Sequence, residues 1–138
     1  MNSRRSGMTN VVILGGTEEA RLVLRGLLRL HQHRVFGVSG SPDEALALLK
    51  EAPDPVLLLD IELQTKPWEE IVPEALRVQP RARVVLLAQS RSPRLEAQAK
   101  AAGVMALVRR PFAIHELLGA VAPADGGGTT SGPPPSGS

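Results

Sequence analysis

Pro53-Asp54-Pro55-Val56-Leu57-Leu58-Leu59-Asp60 is the stretch that decides the fold. Its apolar run is too short for a helix and does not alternate with polar residues. It therefore reads as a strand buried on both faces. Such a strand needs helices packed above and below it, and the flanking sequence has to supply them.

Moving toward the N-terminus, it does. Val11-Val12-Ile13-Leu14 is a second continuous apolar run. Thr17 then caps a helix whose apolar positions, Ala20, Val23, Leu24, Leu27 and Leu28, recur at helical spacing. Arg34 to Val38 reads as another strand. Ser41-Pro42-Asp43-Glu44 follows, with a capping hydroxyl, proline at the first helical position and glutamate at the third. Ala45, Leu46, Leu48 and Leu49 give that helix its buried stripe.

Toward the C-terminus the alternation continues. A polar loop after Asp60 leads to a helix ending near Gln79-Pro80, which Pro73 either begins or kinks. Val84 to Leu87 is the fourth strand. Ser92-Pro93 opens the next helix and Gly103 closes it. Val104 to Val108 is the fifth strand, and Pro111 to Val121 the last helix, with Ile114, Leu117, Leu118 and Val121 on one face. Right-handed crossovers between such repeats predict a doubly wound α/β domain, a flavodoxin-like five-stranded parallel sheet in the order 2-1-3-4-5. The expected domain spans residues 10–122. Residues 1–9 and the Gly/Ser/Pro-rich residues 123–138 cannot bury apolar surface and are expected to be disordered.

Composition narrows the function classes. The 138 residues include no cysteine, which removes disulfides and thiolate chemistry and fits a cytoplasmic location. No apolar run approaches the roughly 18 residues a membrane span needs. The net charge is only +2, the arginines are dispersed, and Phe36, Trp68 and Phe112 are the only aromatics, which argues against nucleic acid. His31, His33 and His115 are scattered and suggest no metal site, and no catalytic constellation is evident. Trp68 is expected to pack on the core, with a partner contact as the alternative.

In a doubly wound sheet, functional groups gather at the carboxyl ends of the strands. Here those positions are Gly15-Gly16, Asp60, Ala88-Gln89-Ser90 and Arg109-Arg110. With Gly40-Ser41-Pro42-Asp43-Glu44-Ala45-Leu46, Ala101-Ala102-Gly103 and Arg109-Arg110-Pro111-Phe112 in their order and spacing, the chain resembles the receiver domain of bacterial response regulators over nearly all of its folded part. The resemblance implies a signalling module. In that family an acidic pair after the first strand and an Asp after the third hold Mg²⁺, and the Asp takes a phosphoryl group from a histidine kinase. A Thr or Ser after the fourth strand and a Lys after the fifth contact the phosphoryl oxygens, and the face of helix 4, strand 5 and helix 5 changes shape.

Position by position, most of that pattern is missing. Asp60 matches the phosphoacceptor, although its strand carries one residue more after Pro53-Asp54. Gly15 and Gly16 stand in place of the acidic pair, Ala88 in place of the Thr, Arg110 in place of the Lys and Leu107 in place of the aromatic switch residue. Ser90 comes two residues late for the hydroxyl role, and the loop Ile61 to Pro67 lacks the family's Pro and Asp-Gly turn. Mg²⁺ needs oxygen ligands that two glycines cannot offer. Without a cation, Asp60 and an incoming phosphoryl group repel each other. The expectation is an atypical receiver in which Arg110 pairs with Asp60, no cofactor is bound, and output comes through protein contacts on the helix 4, strand 5, helix 5 face. Its partner would be a histidine kinase, an output protein or a second copy.

A plainer reading of Asp60, that it only caps the following loop, stays open, as do two alternatives for the chain. One is a conventional phosphorelay receiver using Asp60 and Mg²⁺. The other is a small nucleotide-binding module, because Val11 to Thr17 forms a strand, a glycine turn and a helix start that can cradle phosphate. That turn lacks the full dinucleotide spacing, and Glu18 and Glu19 follow it directly.

Overall fold

The computed structural model describes residues 9–62 and 66–122. Five strands alternate with five helices: β1 Asn10–Leu14, α1 Glu18–Leu30, β2 Arg34–Ser39, α2 Pro42–Glu51, β3 Pro55–Asp60, α3 Trp68–Val78, β4 Arg83–Ala88, α4 Pro93–Ala102, β5 Ala106–Arg109 and α5 Ile114–Val121. The strands are parallel and lie in the order β2-β1-β3-β4-β5, as the sequence predicts.

Each central strand feeds two cores, because successive side chains point to opposite faces. Val12, Leu14, Leu57, Leu59, Val84 and Leu86 pack against α2, α3 and α4. Val11, Ile13, Val56, Leu58, Val85 and Leu87 pack against Leu24 and Leu28 of α1 and Leu117 and Val121 of α5. This is why β3 carries no alternation: all six of its residues are buried. Fully burying each such leucine contributes roughly 2 kcal/mol. Trp68 is also buried, in the α2–α3 core, as expected.

The helix starts follow the capping chemistry. The hydroxyls of Thr17, Ser41 and Ser92 accept from the amides of Ala20, Glu44 and Leu95. Glu44 does not reach back to its own cap. Its Oε1 takes the Ser39 hydroxyl at 2.5 Å, and Ser39 Oγ accepts from the Ser41 amide. Gly103, in the left-handed region at φ 95°, ends α4 with bonds from its own amide to Lys100 O and from Val104 N to Ala99 O.

Those two bonds explain one difference from expectation. Val104 is still closing α4, so β5 begins at Ala106, two residues later than the apolar run predicts. Pro73 does not begin a helix, since α3 starts at Trp68 and runs through it. The last helix begins at Ile114, three residues after Pro111, and Ile114 is partly exposed. Val23, read as a core position of α1, is 61% exposed, and Leu24 and Leu28 carry the buried stripe. Thr9, expected in a loose N-terminus, is buried and donates its hydroxyl to Val121 O at 2.7 Å. The expectations for residues 1–8 and 123–138, and for the middle of the loop Ile61 to Pro67, lie outside the described residues. No described helix is long and apolar enough to cross a membrane.

Candidate functional site

The carboxyl end of the sheet brings together Gly15 and Gly16 just after β1, Asp60 and Ala88 at the ends of β3 and β4, and Arg110 just after β5. Asp60 is the last residue of the central strand and is 2% exposed. A carboxylate so placed is costly unless it is paired and hydrogen-bonded. Arg110 supplies the pair: its Nη2 contacts Asp60 Oδ2. The amide of Glu62 donates to Oδ1 at 2.9 Å.

Backbone geometry aims Arg110 at this point. Its amide donates to Ala88 O at 2.8 Å, extending the β4–β5 ladder one step past the Ala88–Arg109 pair. The peptide from Arg110 to Pro111 is cis. Ala88, at the floor of the site, is buried and brings no hydroxyl. Ser90 is exposed, beyond the loop amide of Gln89.

The glycine turn closes the other side. Gly15 and Gly16 have φ of 95° and 75°, a region that favours glycine. A Cβ on Gly16 would lie 2.7 Å from Asp60 Oδ2. The glycine is therefore the residue that lets the carboxylate sit where Arg110 meets it. The amide of Gly15 donates to Ser39 O at 3.0 Å, so it is already spent within the fold. The carbonyls of Gly15 and Gly16 accept from Arg21 Nη1 at 3.3 and 2.7 Å. The turn thus has its carbonyls on an arginine and its first amide on β2, so the Gly15 amide is not available to the phosphate cradle of the nucleotide-binding alternative.

Two participants were not expected from sequence. Arg21 is a basic residue in the first turn of α1, against the helix dipole preference, and that mismatch is the one signal that could have marked it. Glu62 follows Asp60 and accepts the Gln89 amide on Oε2 at 3.1 Å, tying the β3–α3 loop to the β4–α4 loop. Nothing in a single sequence announces that contact. Leu107 lies away from Asp60. It is half-buried against the α2–α3–α4 core, beside a shallow groove between α4 and β5.

These residues do not suit a divalent cation. One Asp60 oxygen is taken by a guanidinium, Glu62 is engaged with Gln89, and the acidic pair is replaced by glycines. Two unit charges about 4 Å apart repel by about 4 kcal/mol near a protein surface, and Mg²⁺ brings two against Arg110. Among the described residues, no three His, Cys, Asp or Glu side chains gather as a ligand set.

No family model matches this sequence, and no curated protein matches it. Solved structures do. The chain is similar to a DNA-binding response regulator of the LuxR family from Staphylococcus aureus, at 23% identity over 82% of this chain and 95% of that one, with a TM-score of 0.71. It is similar to a chemotaxis protein from Vibrio cholerae, at 22% identity over 81% and 94%, with a TM-score of 0.72. It also resembles a Burkholderia pseudomallei response regulator determined with a phosphorylated aspartic acid and a calcium ion, at 21% identity over 82% and 66%, with a TM-score of 0.72. The chain has the fold of a response-regulator receiver domain.

Proposed function

We propose that this chain is a receiver-like signalling module that works through protein–protein contacts while Asp60 stays unphosphorylated. The observation that carries this reading is the pair of Asp60 and Arg110. Phosphoryl transfer to a carboxylate depends on position and on neutralising charge during attack. Position is retained, because Asp60 stands at the carboxyl end of the central strand. The neutralising charge is permanent, it belongs to the protein, and it sits on an oxygen that attack or metal binding would need.

The contact surface proposed for output is the α4–β5–α5 face, with Leu107 in place of an aromatic switch. Its groove is lined by Arg91, Glu96, Lys100, Val104 and Leu107. A kinase or an output protein of the same signalling system is the expected kind of partner.

The test is incubation of the full chain with acetyl phosphate and Mg²⁺, read by intact mass. The expected result is no phosphoryl adduct, with Asp60→Ala indistinguishable from the parent. An adduct lost in Asp60→Ala overturns this reading and makes the chain a conventional phosphorelay receiver.

A further inference from the structure

Helix α1 has two apolar stripes, and the fold uses only one. Leu24 and Leu28 are buried against the sheet. On the solvent side Leu22 is 55%, Val23 61% and Leu30 73% exposed. At about 3.6 residues per turn, Glu19, Leu22, Gly26 and Leu30 fall along one line opposite the buried stripe. Steps of three and four residues are those of a helix–helix seam. Gly26 lies at the middle of this line, and a Cβ built on it meets nothing within 4 Å.

Apart from Arg21, which holds the glycine turn, the charges on this helix are also unspent. Glu18 and Glu19 occupy its first turn. Arg25 and Arg29 lie toward its other end. With Gln32, His33 and Arg34 they line an open cleft of about 390 Å³. None of these acids and arginines is in an ion pair among the described residues. The Arg34 guanidinium makes a cation–π contact to Phe36.

We infer that α1 pairs with α1 of a second copy of this chain, antiparallel, about a two-fold axis at Gly26. The inference rests on the reading of this module as one that works through protein contacts, and it assigns a surface distinct from the α4–β5–α5 face. A two-fold axis makes the contact self-complementary, so every pairing occurs twice. Counting outward from Gly26, Leu22 of one copy meets Leu30 of the other. Glu18 and Glu19 of one copy arrive at the arginine cleft of the other. A parallel pair would set like charges together at both ends. Gly26, with no side chain, lets the two backbones approach at the crossing.

The test is sedimentation of the full chain over a micromolar concentration range. The expected result is a monomer–dimer equilibrium that weakens as salt rises. Glu18→Arg with Glu19→Arg, and separately Arg29→Glu with Arg34→Glu, each give a monomer, and mixing the two variants restores a dimer. Gly26→Glu keeps the fold, since its site is open, and weakens association by about tenfold or more. A parent that stays monomeric, a dimer unaffected by Gly26→Glu, or a mixture that fails to associate overturns the inference. None of those outcomes changes the intact-mass result at Asp60, so the two readings fail independently.

Discussion

The two ends of the sheet treat charge in opposite ways. At the carboxyl end Asp60, Arg110, Arg21 and Glu62 each have a partner supplied by the fold, and a side chain at position 16 would crowd the carboxylate. At the amino end of β2, beside the end of α1, three arginines surround an open cleft without a carboxylate. Beneath them His33 is buried, and among the described residues nothing hydrogen-bonds its Nδ1. The comparison teaches where to look for function in this chain. Asp60, at the phosphoacceptor-like position, is already paired within the fold, whereas unpaired charge and exposed apolar surface lie on α1.

The comparison breaks most severely at Arg110. Arg110→Ala leaves Asp60 buried without its cation and is expected to cost about 3 kcal/mol, the low end for such pairs because Arg110 is partly exposed. Urea unfolding measures it, and adding Asp60→Asn should recover most of the loss. A cost under about 0.5 kcal/mol, the level of an ordinary surface pair, would mean that the pair is solvated rather than buried.

Gly16→Ala comes next. A non-glycine residue at φ 75° carries about 1 to 2 kcal/mol of backbone strain. The new Cβ also meets a carboxylate that Arg110 pins in place. The expected loss is about 2 kcal/mol or more. In an Asp60→Ala background only the strain should remain, which separates the two causes.

The smallest effect sharpens the other end. Burial, and then the charge of His31, hold the His33 pKa below its ordinary value of 6.5. The unfolded chain therefore takes up a proton first as the pH falls. Stability from this residue is fully present above about pH 6.5 and declines as the pH drops through the folded-state value. His33→Leu should flatten that acid limb of a stability–pH curve, with a change smaller than either substitution above.

Most of the fold could be read from the sequence because its cause is local. Continuous apolar runs, the caps at Thr17, Ser41 and Ser92, and Gly103 fix element order, and most element bounds to within two residues. The differences arise where tertiary geometry overrides pattern. Val104 is apolar like a strand residue, but its amide is committed to α4. Val23 and Ile114 have helical spacing, but neither faces the sheet as a core residue. At the site, the pairing of Asp60 with Arg110 followed from chemistry, because a buried carboxylate needs a cation. Arg21 and Glu62 act through backbone carbonyls and amides, whose positions only the folded chain defines.

The most direct test of the account is a titration of the isotopically labelled chain with millimolar Mg²⁺, followed by the backbone amide resonances of Gly15, Gly16, Asp60 and Arg110. With Arg110 on the carboxylate and glycines in place of acids, these resonances should not move beyond a general salt effect. Saturable shifts confined to those four amides would show a metal seated beside Asp60 and would contradict the account.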